Sequence, residues 1–163
     1  MRLTRAQVLG LVLALVAAGL VLWLWPQEEP DVRTAITRKV VKMTADAERK
    51  DLAELMDGVS ERFRSAEGWG KQELKGVLLG QVLRGQWVRI FTTGLDITPV
   101  SQTRGDFQIK LIFGRSEADA LEKLARESVL SAYLIEGAFE REEDGEWRVV
   151  QASHRPLNPA DLF

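Results

Sequence analysis

The sequence predicts an α+β protein: an N-terminal transmembrane helix, then three helices packed on a curved antiparallel sheet of about four to six strands. Three observations carry this. Ala6–Trp25 is a run of twenty residues without a charge. The spacing of apolar residues changes from near 3.6 to near 2 after Gly85, so helices precede strands. Cysteine is absent and His154 is the lone histidine, so packing rather than disulfides or zinc must hold the fold.

Residues 6–25 are long enough as a helix to cross the roughly 30 Å hydrocarbon core of a bilayer. Residues 1–5 form a short stub whose Arg2 and Arg5 keep the amino end cytoplasmic, while Gln27, Glu28, Glu29 and Asp31 beyond the run are neutral or acidic. The expected location is therefore the inner (cytoplasmic) membrane, single-pass, with the C-terminal part periplasmic or extracellular. Trp23 and Trp25 suit the far interface. A cleaved signal peptide is the rival, since Val16-Ala17-Ala18 offers a small-residue site, but cleavage there would leave an apolar stub from Gly19 to Trp25. Gly10, Ala14 and Ala18 share one helix face and would let two spans pack closely. Ala and Gly are also ordinary constituents of any span.

Residues 26–30 form a linker in which Pro30 stops the helix from running on. Asp31 is placed to cap a helix whose Val32, Ile36, Val40, Met43 and Ala47 recur every three or four residues. Asp51-Leu52-Ala53-Glu54 follows the capping-box pattern and starts a second helix, with Leu52, Leu55, Met56, Val59 and Phe63 on one face and an end near Ser65–Gly70. A third helix is expected over about Lys71–Leu83, with Leu74, Val77, Leu78 and Val82 as its buried stripe.

Strands follow. Trp87–Val100 is rich in β-branched and aromatic residues, with Gly94 as a bulge, and Phe107, Ile109, Leu111 and Phe113 alternate with polar residues after a turn at Thr103-Arg104-Gly105-Asp106. Ser116–Arg126 is charged and helix-prone. Ser128–Glu142 resumes strand character, and Asp144-Gly145 marks a hairpin into Trp147–His154. Residues 156–163 form a tail.

Composition excludes several functions. The chain carries 22 Lys and Arg against 24 Asp and Glu, and two of the cations precede the apolar run, so the remainder is acidic and offers no surface for nucleic acid. Gly68-Trp69-Gly70-Lys71 lacks phosphate-loop spacing and has Gln72 where Ser or Thr is needed, which excludes nucleotide binding there. No calcium-loop pattern is present, and neither a metal nor a cofactor is implied.

Three helices followed by a long curved sheet, together with Arg49-Lys50-Asp51-Leu52, Leu55-Met56, Phe63-Arg64 and Asp144-Gly145-Glu146-Trp147-Arg148-Val149-Val150, resemble the cone-shaped superfamily of nuclear transport factor 2, the ketosteroid isomerases and the SnoaL-type cyclases. The resemblance covers residues 31–155 and contains no catalytic motif. It implies a cone enclosing an apolar pocket, in which the superfamily's enzymes use an Asp or His to move protons beside a carbonyl.

Candidate catalytic residues follow from that implication. Asp96 would be a general base if it faced the pocket, where burial raises a carboxyl pKa, and a plain outward carboxylate otherwise. His154 is the one side chain that titrates near neutrality unperturbed, against its reading as a solvated strand-end residue. Tyr133 would donate to an oxyanion or serve as a core aromatic with its hydroxyl at the rim. Trp69, Trp87, Phe91 and Tyr133 are the candidate ligand-contacting aromatics, against the reading that they close the core.

The expected function is a single-pass membrane protein presenting its cone for protein–protein or small apolar ligand binding, without catalysis. The partners would be the bilayer through residues 6–25 and a membrane-proximal envelope protein or a second copy. The alternative is a cofactor-independent isomerase or cyclase with a pocket Asp or His as base.

Overall fold

The computed structural model describes residues 30–85, 87, 89–115 and 129–158. Helix α1 spans Val32–Glu48 and α2 spans Leu52–Asp57; strand β1, Val59–Ser65, precedes helix α3, Lys71–Arg84. Strands β2 (Arg89–Ser101), β3 (Arg104–Gly114), β4 (Val129–Arg141) and β5 (Trp147–Pro156) complete an α+β fold with one five-stranded sheet ordered β1-β5-β4-β3-β2. Among the described residues no helix is long and apolar enough to cross a membrane. The apolar run 6–25, the excursion 116–126 and most of the tail lie outside the described residues.

Three expectations are corrected. The second helix does not reach Phe63: it ends at Asp57, and Val59–Ser65 is a strand. Gly58 caps the helix at a site where a side chain would run into Met43 Sδ, 2.7 Å from an added Cβ, so helix and strand turn tightly under α1. The sheet is mixed rather than wholly antiparallel, because β1 pairs in parallel with β5, Val59 opposite Val149 and Ser65 opposite Ala152. The other pairs are antiparallel. The first turn also tightens: β3 already begins at Arg104, inside the segment expected to turn.

Local chemistry places the helices. Asp31 caps α1, its carboxylate accepting from Thr34 N at 3.0 Å and from the Thr34 hydroxyl at 2.9 Å. Asp51 caps α2 by accepting from Glu54 N. The end of α1 is a Schellman turn: Lys50 N donates to Ala47 O and Asp51 N to Asp46 O, with Lys50 at φ 60°. Gly94, at φ 61°, falls within the register shift between Thr93 and Asp96, as a bulge requires.

The core lies between α1, α2 and one end of the sheet. Ile36, Phe63 and Phe139 are at most 1% exposed, and Phe107 and Phe139 meet at 4.9 Å between centroids. Gly105 admits α1 to the sheet, since an added Cβ would stand 2.6 Å from Ile36 Cδ1. Phe91, Ile112, Ala132 and Leu134 form a second buried apolar group on the other face of the sheet.

Candidate functional site

The inward positions of the sheet alternate strictly, so Phe107, Ile109, Leu111 and Phe113 of β3 and Tyr133, Ile135 and Phe139 of β4 point to the helices. Beyond the packed core these side chains do not fill the space. They enclose a cavity of about 590 Å³ whose opposite wall is Leu52 and Leu55 of α2 and Leu74, Val77 and Leu78 of α3. That volume suits a small-molecule ligand, and its walls are predominantly apolar.

A row of rings runs along the sheet side of the cavity. Trp69 stacks on His154 at 6.2 Å, His154 meets Tyr133 at 6.0 Å, Tyr133 meets Phe113 at 6.2 Å, and Phe113 meets Trp87 at 5.4 Å. Edge-to-face contacts dominate, the arrangement that ring quadrupoles favour. Polar groups stand at both ends of this row.

At one end His154 Nδ1 lies 3.4 Å from Glu67 Oε1, with its side chain 43% exposed. Ser65 organises the loop: its hydroxyl oxygen accepts from Glu67 N and Trp69 N. The Ser65 hydroxyl, then the Glu67 backbone and His154, hold the Glu67 carboxyl below its ordinary range. A carboxylate on Nδ1 favours the tautomer protonated there, leaving Nε2 as an acceptor. The pair thus places an imidazole and a carboxylate at the rim, beside the Tyr133 ring.

At the other end Lys50 lies over the Trp87 ring, Nζ 5.1 Å from the centroid, and donates to Gly85 O at 3.0 Å. Its left-handed backbone costs an ordinary L-residue about 1–2 kcal/mol. Trp87 Nε1 is buried and has no hydrogen-bond partner among the described residues.

His154, Tyr133, Trp69 and Trp87 thus share one cavity wall, whereas two other candidates do not. Asp96 pairs with Gln108 on the opposite face, exposed, in a polar groove that it shares with Asp106 and Glu136. Phe91 is opposite Ile112 and belongs to the second apolar group; its neighbour Ile90 lines the cavity instead. Glu67 and Lys50 are polar groups that sequence reasoning missed. Glu67 was hidden by reading β1 as helix: only the parallel register Ser65–Ala152 brings the next loop beside His154. Lys50 carried one usable signal, a lysine where a helix ending in this way ordinarily has glycine. Among the described residues no group of three or more His, Cys, Asp or Glu is placed to hold a metal ion.

No family model matches the sequence, and no curated protein matches it. Solved structures do. A nuclear transport factor 2-like protein of unknown function from Pseudomonas putida superposes with a TM-score of 0.60 at 8% identity, covering 74% of this chain and 83% of its own. A hexachlorocyclohexane dehydrochlorinase from Novosphingobium barchaimii gives 0.57 at 15% identity, over 77% and 86%. A ketosteroid isomerase-like protein from Erwinia carotovora gives 0.57 at 13%, over 77% and 96%. Enzymes and proteins without a known activity share this architecture, so it fixes shape and not chemistry. The chain carries the cone-shaped fold of the nuclear transport factor 2-like proteins.

Proposed function

We propose that this chain is a membrane-tethered binding protein whose cone takes up a small apolar ligand. The observation that carries the reading is the cavity of about 590 Å³ left between an aromatic sheet wall and the aliphatic faces of α2 and α3. The apolar run 6–25 supports the tether, with the amino end cytoplasmic and the cone on the extracytoplasmic side, close to the bilayer. A membrane-proximal envelope protein or a second copy is the partner such a tether would serve.

The test uses the full chain in phosphatidylcholine nanodiscs and the neutral probe N-phenyl-1-naphthylamine. Directly excited probe fluorescence above that of empty nanodiscs is expected to saturate at one probe per chain and to fall to the empty-nanodisc level in Leu78→Trp, which fills the cavity. Equal signals from that variant, from the parent chain and from empty nanodiscs would refute uptake by the cone.

One observation favours a second reading, a cofactor-independent isomerase or cyclase: the Glu67–His154 contact beside Tyr133 at the rim. His154 would be the base; Asp96, on the other face, has no part in it. Proton exchange beside the carbonyl of 2-tetralone, followed by NMR in D2O, separates the two. Exchange unaffected by His154→Ala supports simple binding, and exchange lost in that variant supports catalysis.

A further inference from the structure

We infer that the ligand is acidic as well as apolar: a ring-bearing molecule with one carboxylate or sulfonate group, seated with that group against Lys50 at the Trp87 end of the cavity. The inference rests on the cavity reading above and adds the ligand's charge and orientation.

Two independent features converge on that end. The first is the residue at the turn. The Schellman geometry after α1 requires a left-handed residue, the role in which glycine is strain-free, yet this chain places Lys50 there at φ 60°, the one non-glycine residue with positive φ among the described residues. A strained residue at the edge of a cavity points to a role for its side chain. The second is its charge. Lys39, Lys42 and Lys71 each hold a carboxylate, Glu146, Asp46 with Glu54, and Glu61 respectively. Lys50 holds instead a neutral carbonyl and a ring face, which fix the ammonium over Trp87 and leave its charge uncompensated by any carboxylate contact among the described residues.

The opposite end settles the orientation. Glu67 is ionised there and would repel an acid, while the ring row between the two ends offers flat apolar contact. An anion therefore sits at Lys50 and the hydrophobic body extends toward Tyr133.

Two probes that differ only by an acid test this: N-phenyl-1-naphthylamine and 1-anilinonaphthalene-8-sulfonate, each titrated into the full chain in phosphatidylcholine nanodiscs, with empty nanodiscs subtracted. The sulfonate is expected to bind about tenfold tighter than the neutral probe, the scale of one charge-assisted hydrogen bond. Lys50→Gly relieves the backbone strain, so it should fold at least as well; it is expected to abolish the preference of the sulfonate over the neutral probe. Lys50→Arg should keep the preference. Equal affinities in the parent chain, or a preference that survives Lys50→Gly, would overturn the acidic-ligand inference while leaving cavity binding in place. Failure of both probes to bind would overturn cavity binding and this inference together.

Discussion

Glu142 is held by two elements at once. Ser60 of β1 donates its hydroxyl to Glu142 Oε1 at 2.6 Å, and Arg148 of β5 donates to Oε2 at 2.7 Å. Arg148 also reaches Asp144 and the Asp57 carbonyl, so the cluster ties the final hairpin to the end of α2. The Ser60 hydrogen bond first, then Arg148, lowers the Glu142 carboxyl below its ordinary 4.5; Asp144 is lowered likewise, chiefly by the Glu146 backbone N–H. A carboxyl depressed in the folded state contributes stability that is full above the unfolded value and disappears as pH falls through the folded one. Urea unfolding midpoints should therefore hold steady from pH 7 to 5 and drop below about 4.5. Glu142→Gln should lower the midpoint at pH 7 and flatten that acid limb; an unchanged limb would assign acid lability elsewhere. The pattern of residues made the Asp144-Gly145 hairpin legible, but not Ser60 as its anchor, because that contact joins positions 82 apart in sequence. Asp96 shows the same limit: its strand was readable, whereas the face it occupies depends on the bulge at Gly94.

At the scale of elements, long periodic segments were readable and junctions were not. α1 and the strands β2 to β5 follow their apolar spacing closely, and α3 ends within a residue of the expected position. β1 failed because Leu52, Leu55, Met56, Val59 and Phe63 fit a helical stripe while Val59 and Phe63 also fit one face of a strand. The tertiary partner decided, β5 offering backbone groups that a continued helix would leave unpaired. Two predictions belong here. Gly137 in β4 faces the Gln151 backbone, and an added Cβ would stand 3.0 Å from Phe107 Cε1, so Gly137→Ala must part β4 from β5. Overpacking of this kind costs about 1–3 kcal/mol, readable as a lower denaturation midpoint with no change in slope. Asp31→Ala removes both contacts to Thr34 at the start of α1 and should cost about 1 kcal/mol by the same measurement.

At the scale of the molecule, the packed core forms the floor of the cavity. Phe63, Phe107 and Phe139 close the packed end, and Phe63→Ala should cost about 3–5 kcal/mol there. The wide end is lined but not filled, so a ligand should add what the walls lack. At a concentration one hundred times its dissociation constant it should raise stability by about 2.7 kcal/mol, seen as a higher Tm. The order of helices and strands was enough to suggest this architecture, whereas the cavity was not, since empty space has no residue to report it.

The parallel pairing of β1 with β5 also bears on how the chain comes to fold. Val59 meets Val149, a partner made about ninety residues later, and antiparallel β4 is the neighbour of β5 on its other side. Contacts so distant in sequence form slowly, because the loop between them must close first. During synthesis, β1 emerges with no sheet edge to receive it until β5 is made. Completion of the sheet is therefore expected only after β5 has emerged, and truncation before Trp147 should leave Val59–Ser65 open to protease rather than paired.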